Sequence, residues 1–146
     1  MINIRTMEER DLECVAAIEK EIFSIPWSQK AFSDSLNSSN TEYIVAEKDG
    51  VIAGYCGMYI SFEEGNITNV AVASKFRRQN IATLLLKHLL KLASERAVTD
   101  VILEVRETNV PAIKLYEQLG FEEAGIRKNF YEKPVENALI MWKHNL

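Results

Sequence analysis

Residues 66–105 constrain the fold more than any other part of the chain, because a strand, a helix and a second strand follow one another there. The stretch "NITNVAVA" has the β-branched run of a buried strand. A helix is predicted from about Asn80 to Arg96. Its apolar arc consists of Ile81, Leu85, Leu89 and Leu92. The continuous apolar run "DVILEV" then predicts a strand buried on both faces, so this part of the chain indicates a sheet with a helix on its face.

The N-terminal part is predicted to hold one strand and two helices. "INIRT" alternates as a short strand does, and Thr6 and Glu9 have the spacing of a capping box at the start of a helix. The apolar face of that helix carries Leu12, Val15, Ile18 and Ile22. "SIPWS" ends it, and Ser28 is expected to cap a second, short helix.

The middle of the chain, residues 41–73, predicts three antiparallel strands. Turns are expected at Asp49-Gly50 and near Glu64-Gly65. Asp-Gly is a strong hairpin signal because both residues tolerate the backbone that tight turns require. This segment therefore forms the centre of the predicted sheet.

The C-terminal part predicts one more helix and a hairpin. Asn109 is expected to cap a helix that has Pro111 in its first turn and ends at Gly120. Two strands, 121–132 and 135–143, follow. The element order β-α-α-β-β-β-α-β-α-β-β predicts an α/β protein, with a central mixed, mostly antiparallel sheet flanked by helices. No repeat or linker divides the chain, so one domain is expected over residues 1–146.

Composition excludes several classes of function. The formal net charge is -4, so broad electrostatic binding to nucleic acid or to an anionic membrane is not expected. Two cysteines, Cys14 and Cys56, and two histidines lack the spacing of a zinc site, which predicts no metal and reduced core cysteines. The first residues contain no apolar signal core, and no stretch is long enough to span a bilayer, so a cytoplasmic protein is expected.

The basic turn before the long helix indicates an anion site. Arg77, Arg78 and Gln79 were expected in the first helical turn, where the helix dipole disfavours cations. Free backbone N–H groups and two guanidinium groups at one point would suit an anionic ligand, while the alternative is a solvated basic helix start. The spacing of a Walker phosphate loop is absent, and no Gly-x-Gly-x-x-Gly occurs.

The segment Arg77-x-x-Asn80-x-Ala82 resembles the Arg/Gln-x-x-Gly-x-Gly/Ala signature of the GNAT acetyltransferase superfamily. Asn80 departs from the usual glycine, although Asn tolerates a left-handed backbone best among the other residues. "FSIPWSQKAF" and "LEVRETNVPAIKLYEQLGFEEAGIRKNFY" resemble the bacterial ribosomal-protein-alanine N-acetyltransferases of that superfamily. The resemblance covers essentially the whole chain. It is most specific in the combination of Pro26-Trp27-Ser28 with Asn109, Tyr116 and Gly120-Phe121.

The resemblance implies acetyl-coenzyme A as the cosubstrate. The turn and the helix N-terminus would hold its pyrophosphate, the pantetheine arm would lie along the preceding strand, and the Val72 amide would donate to the thioester oxygen. Asn109 would contact the pantetheine or adenosine part of the cofactor from the other side, serve as a simple helix cap, or do both. The expected cofactor-binding residues are Val70, Ala71, Val72, Arg77, Arg78, Gln79, Asn80, Ile81, Ala82, Thr83 and Asn109.

The resemblance also implies two catalytic residues. An N-terminal amine has a pKa of about 8, so a base has to take its proton. Glu104, an ionisable residue inside an apolar strand, is the expected base, unless it faces solvent at the strand edge. Tyr116 is the expected acid for the thiolate, unless it is a half-buried core residue. Direct attack is expected, because no Cys or Ser is placed as an acyl carrier.

The acceptor is expected to be a protein N-terminus. Ile25 and Trp27 in "SIPWS" would form one wall of a peptide groove and Tyr131 the other, although Trp27 could equally pack over the core. The resemblance implies acetylation of the N-terminal alanine of a small-subunit ribosomal protein, by a monomer or weak dimer. The alternatives are an enzyme for lysine side chains or small amines, and a non-catalytic partner protein that binds coenzyme A.

Overall fold

The computed structural model describes residues 1–146 and contains four α-helices and seven strands. The strands are β1 Ile2–Thr6, β2 Thr41–Lys48, β3 Val51–Ser61, β4 Glu64–Val72, β5 Asp100–Arg106, β6 Glu122–Tyr131 and β7 Glu136–Lys143. The helices are α1 Leu12–Ile22, α2 Gln29–Leu36, α3 Ile81–Glu95 and α4 Val110–Gln118. This order is the one expected from the sequence. None of the helices is long and apolar enough to cross a membrane.

All seven strands form one sheet in the order β1-β2-β3-β4-β5-β7-β6. Every neighbouring pair is antiparallel except β4 and β5, which are parallel because α3 connects them. The prediction of a mixed, mostly antiparallel sheet is confirmed. Helices α3 and α4 pack on one face of this sheet, and α1 and α2 pack on the other.

The two faces have separate cores. On the α3–α4 face, Leu85, Leu86 and Leu89 are fully buried against apolar residues of β2 to β5 and β7. Burial of each such side chain stabilises the fold by about 1.5–3 kcal/mol. On the α1–α2 face, a smaller core is built around Phe32 and Tyr55. The larger core thus fixes α3, whose N-terminus lies at the candidate site.

The sheet opens between β4 and β5. The two strands pair only from Glu64 opposite Asp100 to Asn66 opposite Ile102, and their remaining residues are unpaired with each other. Close to the point of separation, Thr68 is an extra residue in β4, so that strand bulges. The result is a gap in the middle of the sheet with free backbone edges on both sides.

The backbone of β4 beyond the bulge has groups that face this gap. The Ala73 N–H donates to the Ala53 carbonyl on β3 at 2.8 Å. Successive residues of a strand direct their backbone N–H groups alternately toward one neighbouring strand and the other. The amides of Val70 and Val72 therefore point away from β3 and toward the gap. An extended ligand could therefore hydrogen-bond to β4 there as an added strand would.

Two local predictions for the N-terminal half are wrong. Thr6 does not begin a capping box, because it is still in β1 opposite Ile44; instead the Asp11 carboxylate accepts from the Glu8 N–H at 2.8 Å. The second hairpin turns at residues 62–63, not near Glu64-Gly65. Gly65 lies in the strand, and a Cβ there would be 2.6 Å from the Met58 sulfur, so its small size serves close packing.

Two predictions about burial are also wrong. Strand β5 is buried on one face only, because the α1–α2 face is open over Ile102, Glu104 and Arg106, which are half-buried. Cys14 is exposed on α1 and is not a core residue, whereas Cys56 is fully buried. Both cysteines are free.

Candidate active site

The turn before α3 forms a shallow cavity of about 190 Å³. Its lining consists of Val72, Phe76, Arg77, Arg78, Asn80, Ile81, Ala82 and Thr83. The helix begins at Ile81, so the expectation that Arg77 to Gln79 lie in the first helical turn is wrong; they form the loop that leads into it. The backbone N–H groups of Ile81, Ala82 and Thr83 have no acceptor within the helix, and the first intrahelical bond runs from Leu84 N–H to the Asn80 carbonyl at 3.2 Å.

Asn80 has the left-handed backbone expected of a residue that stands where the family signature has glycine. Its φ is 64°, and Arg78 is also left-handed with a φ of 63°. Both residues turn the chain sharply enough for the free amides and Arg77 to border one cavity. The cavity therefore combines backbone donors, the positive end of a helix dipole and guanidinium charge, which together suit a phosphate ligand.

Asn80→Gly is expected to raise the thermal stability slightly and to leave acetyl-coenzyme A affinity equal or improved, because glycine adopts a positive φ without steric cost. The Asn80 side chain makes no hydrogen bond that would be lost. The check is the melting temperature with and without acetyl-coenzyme A. A large loss of affinity in the folded variant would show that the Asn80 amide itself binds the cofactor.

Two of the expected cofactor-binding residues direct their side chains to other parts of the protein. The side chain of Gln79 turns away to accept from the Lys48 ammonium, so Gln79 can contribute only its backbone here. Asn109 does not line the cavity and instead caps α4, where its side-chain oxygen accepts from the Ala112 N–H at 3.3 Å. The helix cap at Asn109 is thus confirmed, and its contact with the cofactor stays a prediction.

Glu104 lies on β5 beside the gap. Leu103 and Val105 point into the α3–α4 core, so Glu104 points to the α1–α2 face. Its side chain is 16% exposed, and one carboxylate oxygen is 3.8 Å from the guanidinium Nε of Arg127 on β6. Glu104 is therefore neither on a solvent-facing edge nor in the core. It is a half-buried carboxylate that a ligand in the gap can reach.

Tyr116 lies on α4 across the sheet from Glu104. Its ring is buried in the α3–α4 core and packs edge-to-face against Phe121 at 5.9 Å. Its hydroxyl makes no hydrogen bond within the protein, and since no fully buried polar side-chain atom lacks a partner, this hydroxyl must reach accessible space. Burial raises the pKa of Tyr116, so the hydroxyl keeps its proton at neutral pH and can act as a donor.

Tyr131, the last residue of β6, lies close enough to Glu104 for the carboxylate charge to affect its pKa. Burial raises its pKa to about 12, with a further contribution from the negative charge of Glu104. The guanidinium of Arg106 lies over its ring at 4.4 Å and also donates to the carbonyls of Glu132 and Pro134 at 3.0 Å. Arg106 thus orders the β6–β7 hairpin beside Glu104. The only feature of the sequence that indicates this role is the position of Arg106, two residues after Glu104 and therefore on the same face of β5.

The α1–α2 loop forms the opposite wall of this face. Trp27 is half-buried, and its ring packs at 5.3 Å from Phe32 and 6.3 Å from Tyr43. Ile25 is 54% exposed at the loop surface. The Ser24 hydroxyl reaches the Glu132 carbonyl at 3.5 Å, so the loop and the β6–β7 hairpin approach each other. Trp27 thus packs over the core in a loop that approaches the β6–β7 hairpin, and its role as a wall of the peptide groove stays a prediction.

Known proteins resemble this chain throughout its length. The Acetyltransferase (GNAT) family model matches residues 12–121. A Bacillus subtilis protein provisionally named as a [ribosomal protein bS18]-alanine N-acetyltransferase is 39% identical over 95% of this chain and 93% of its own length. The [ribosomal protein bS18]-alanine N-acetyltransferase of Escherichia coli K12 is 34% identical over 97% of this chain and 96% of its own length.

Solved structures agree with these matches. The crystal structure of the ribosomal-protein-S18-alanine N-acetyltransferase from Escherichia coli superimposes with a TM-score of 0.92 at 33% identity, over 99% of this chain and 94% of that one. Ard1 from Thermoplasma volcanium has a TM-score of 0.91 at 28% identity, over 99% of this chain and 98% of that one. The chain belongs to the GNAT family of acetyl-coenzyme A-dependent N-acetyltransferases.

Proposed function

We propose that this enzyme acetylates the N-terminal alanine of the ribosomal protein bS18 in the cytoplasm, acting as a single domain. The observation that carries the proposal is the gap between β4 and β5. A cavity suited to an anion lies at the α3 N-terminus on one side, and the half-buried Glu104 lies on the other. The names of relatives 34% and 39% identical over nearly the whole chain supply the acceptor.

The cofactor would bind along β4. Its pyrophosphate would accept hydrogen bonds from the free amides of residues 81–83, with Arg77 and Arg78 supplying charge. Its pantetheine arm would pair with the backbone of residues 70–72 where β5 has separated. This arrangement would bring the thioester to the middle of the sheet, with the Val72 N–H aimed at its carbonyl oxygen.

The cofactor site predicts a difference between two ligands. Acetyl-coenzyme A at a hundredfold excess over Kd stabilises by about 2.7 kcal/mol, which corresponds to a rise in Tm of roughly 5–10 °C. Acetyl-pantetheine, which lacks the pyrophosphate, should give a much smaller rise at the same concentration. Arg77→Ala should reduce the acetyl-coenzyme A shift, whereas replacement of Lys91, an exposed residue near the end of α3, by Ala should not. Equal shifts from both ligands would contradict the anion site.

The transfer would proceed by direct attack. Glu104, directly or through a water molecule, takes a proton from the α-ammonium group, and the freed amine attacks the thioester carbon. The oxygen gains negative charge and is stabilised by the Val72 N–H. As the intermediate collapses, the carbon–sulfur bond breaks and the coenzyme A thiolate receives the Tyr116 proton. The nitrogen then loses its second proton, which returns through solvent to the Tyr116 phenolate, and Glu104 releases the first proton to water. The products are the acetylated N-terminus and free coenzyme A.

The acceptor should be a peptide N-terminus and not a lysine. An α-amine loses its proton about two pH units more readily than a lysine amine, so a carboxylate base favours it at neutral pH. The walls provided by Trp27 and Tyr131 would contact the peptide beyond the first residue. Both features favour a peptide that starts with alanine over free alanine or a polyamine.

The measurement is kcat/KM at two pH values for four acceptors. These are a short peptide beginning with alanine, free alanine, a polyamine, and the same peptide with a blocked N-terminus and an exposed lysine. The first should have the highest value, and Trp27→Ala should lower it more than it lowers the affinity for acetyl-coenzyme A. A higher value for the polyamine or the blocked peptide would contradict the proposal and favour a small-amine or lysine acetyltransferase.

A further inference from the structure

Glu19 is a buried carboxylate that the proposed mechanism does not use. It is 2% exposed and forms no salt bridge with any basic group of the protein. It shares the inner face of α1 with Leu12 and Val15. Burying a charge is costly even when it is hydrogen-bonded, and an aliphatic residue at this position would pack without that cost. The carboxylate therefore requires an explanation other than stability.

The hydrogen bonds of Glu19 join two separate parts of the protein. One carboxylate oxygen accepts from the Tyr55 hydroxyl at 2.7 Å and from the Asn69 amide at 3.4 Å, both on the sheet. The other oxygen accepts from the backbone N–H of Trp27 in the α1–α2 loop at 2.9 Å. One side chain thus connects the loop that borders the open face to strands β3 and β4.

The sheet end of this connection is the β4 bulge. Asn69 directly follows Thr68, the extra residue of the bulge. The Tyr43 hydroxyl lies 2.7 Å from the Thr68 hydroxyl and donates to the Asn69 side-chain oxygen at 3.3 Å, so the bulge is held from the same face. Immediately beyond it, the amides of Val70 and Val72 face the gap. Glu19 therefore connects the acceptor wall to the strand segment at which the thioester would lie.

We propose that Glu19 is a positioning residue that fixes the distance and angle between the acceptor peptide and the thioester, by tying the Trp27 loop to β3 at Tyr55 and to the adjacent bulged part of β4 at Asn69. This inference rests on the proposed function. It makes the enzyme selective for acceptors long enough to contact the loop. An acceptor that ends after one residue, such as alaninamide, does not depend on the tie, because it does not reach the loop.

The test compares two acceptors in variants that break the tie at different points. Tyr55→Phe removes the bond to β3 and keeps a ring in its edge-to-face contact with Phe32. Glu19→Ala removes all three bonds. In both, kcat/KM for a peptide beginning with alanine should fall at least about tenfold, while kcat/KM for alaninamide and the Tm rise with acetyl-coenzyme A stay nearly unchanged. Glu13→Gln, an exposed carboxylate on the same helix, should change none of these.

Glu19→Gln tests whether the connection or the charge matters. Its oxygen can accept from the Trp27 N–H while its amide donates to the Tyr55 hydroxyl, since a hydroxyl can either donate or accept. Only the long 3.4 Å bond from the Asn69 amide is lost, because that amide is also a donor. Peptide kcat/KM in this variant should therefore remain close to that of the wild type.

Two results would overturn the proposal. One is a folded Glu19→Gln variant as impaired as Glu19→Ala, and the other is an equal loss for both acceptors in Tyr55→Phe. If Glu19→Ala does not fold, the comparison of the two acceptors in Tyr55→Phe still tests the proposal. Wild-type enzyme that uses both acceptors equally well would contradict the proposed function itself.

Discussion

Glu104→Gln is expected to lower kcat by about a hundredfold or more, equivalent to about 2.7 kcal/mol of transition-state stabilisation, while acetyl-coenzyme A binding stays nearly intact. Gln is nearly isosteric with Glu but cannot accept a proton from the α-ammonium group. Cofactor binding should not change, because the proposed cofactor contacts lie on β4 and α3 and not on β5. The measurements are kcat for a peptide beginning with alanine, across neutral pH, and the Tm rise with acetyl-coenzyme A.

Arg127→Ala is the matched control for this variant. The guanidinium of Arg127 lies 3.8 Å from the Glu104 carboxylate and its side chain is 54% exposed, so its removal breaks the same ion pair without removing the base. Exposed ion pairs contribute about 1 kcal/mol or less. Arg127→Ala should therefore keep most of the turnover. Equal losses in both variants would mean that the ion pair matters and that Glu104 is not the base. Full activity in Glu104→Gln would assign proton removal to another residue or to bulk water.

Tyr116→Phe is expected to lower kcat by a similar factor, about a hundredfold, because the thiolate would then leave without a proton donor. The variant keeps the ring that packs against Phe121, and the hydroxyl has no partner within the protein. Its Tm should therefore match that of the wild type. This makes the loss of activity attributable to the hydroxyl.

The pH dependence of the Tyr116→Phe effect follows from the raised pKa. Burial penalises the charged phenolate and so raises the pKa of Tyr116, which means that the hydroxyl remains protonated from acid through neutral to mildly alkaline pH. The ratio of wild-type to variant kcat should accordingly be constant between about pH 6 and pH 9. A ratio that falls toward one within this range would show that Tyr116 loses its proton there. Unchanged kcat in the variant would remove the general-acid role altogether.

The sequence predicted the features that depend on local chemistry. The left-handed conformation at Asn80 follows from its residue type, and the turn into α3 follows from a β-branched strand meeting an apolar helix. The cap at Asn109 is likewise local. These features sufficed to predict an anion site at the turn, whereas the roles of Glu104 and Tyr116 were predicted from the resemblance to the family.

Features that depend on long-range packing could not be predicted. The gap between β4 and β5 exists because pairing stops at Asn66 and Ile102, which no local pattern encodes. Gly65 is predicted to lie in a turn because its close neighbour, the Met58 side chain, is brought against it only by the β3–β4 pairing. Glu19 falls within the apolar periodicity of α1, yet its three donors come from a loop and two strands distant in sequence.

The most direct test of the central claim is the mass of ribosomal protein bS18 from cells that contain this gene, cells that lack it, and cells that carry the Glu104→Gln variant. The N-terminal alanine should bear one acetyl group in the first case and be a free amine in the other two. Peptide sequencing by mass spectrometry would locate the group on the α-amine. The same extent of acetylation in cells with and without the gene would contradict bS18 as the acceptor.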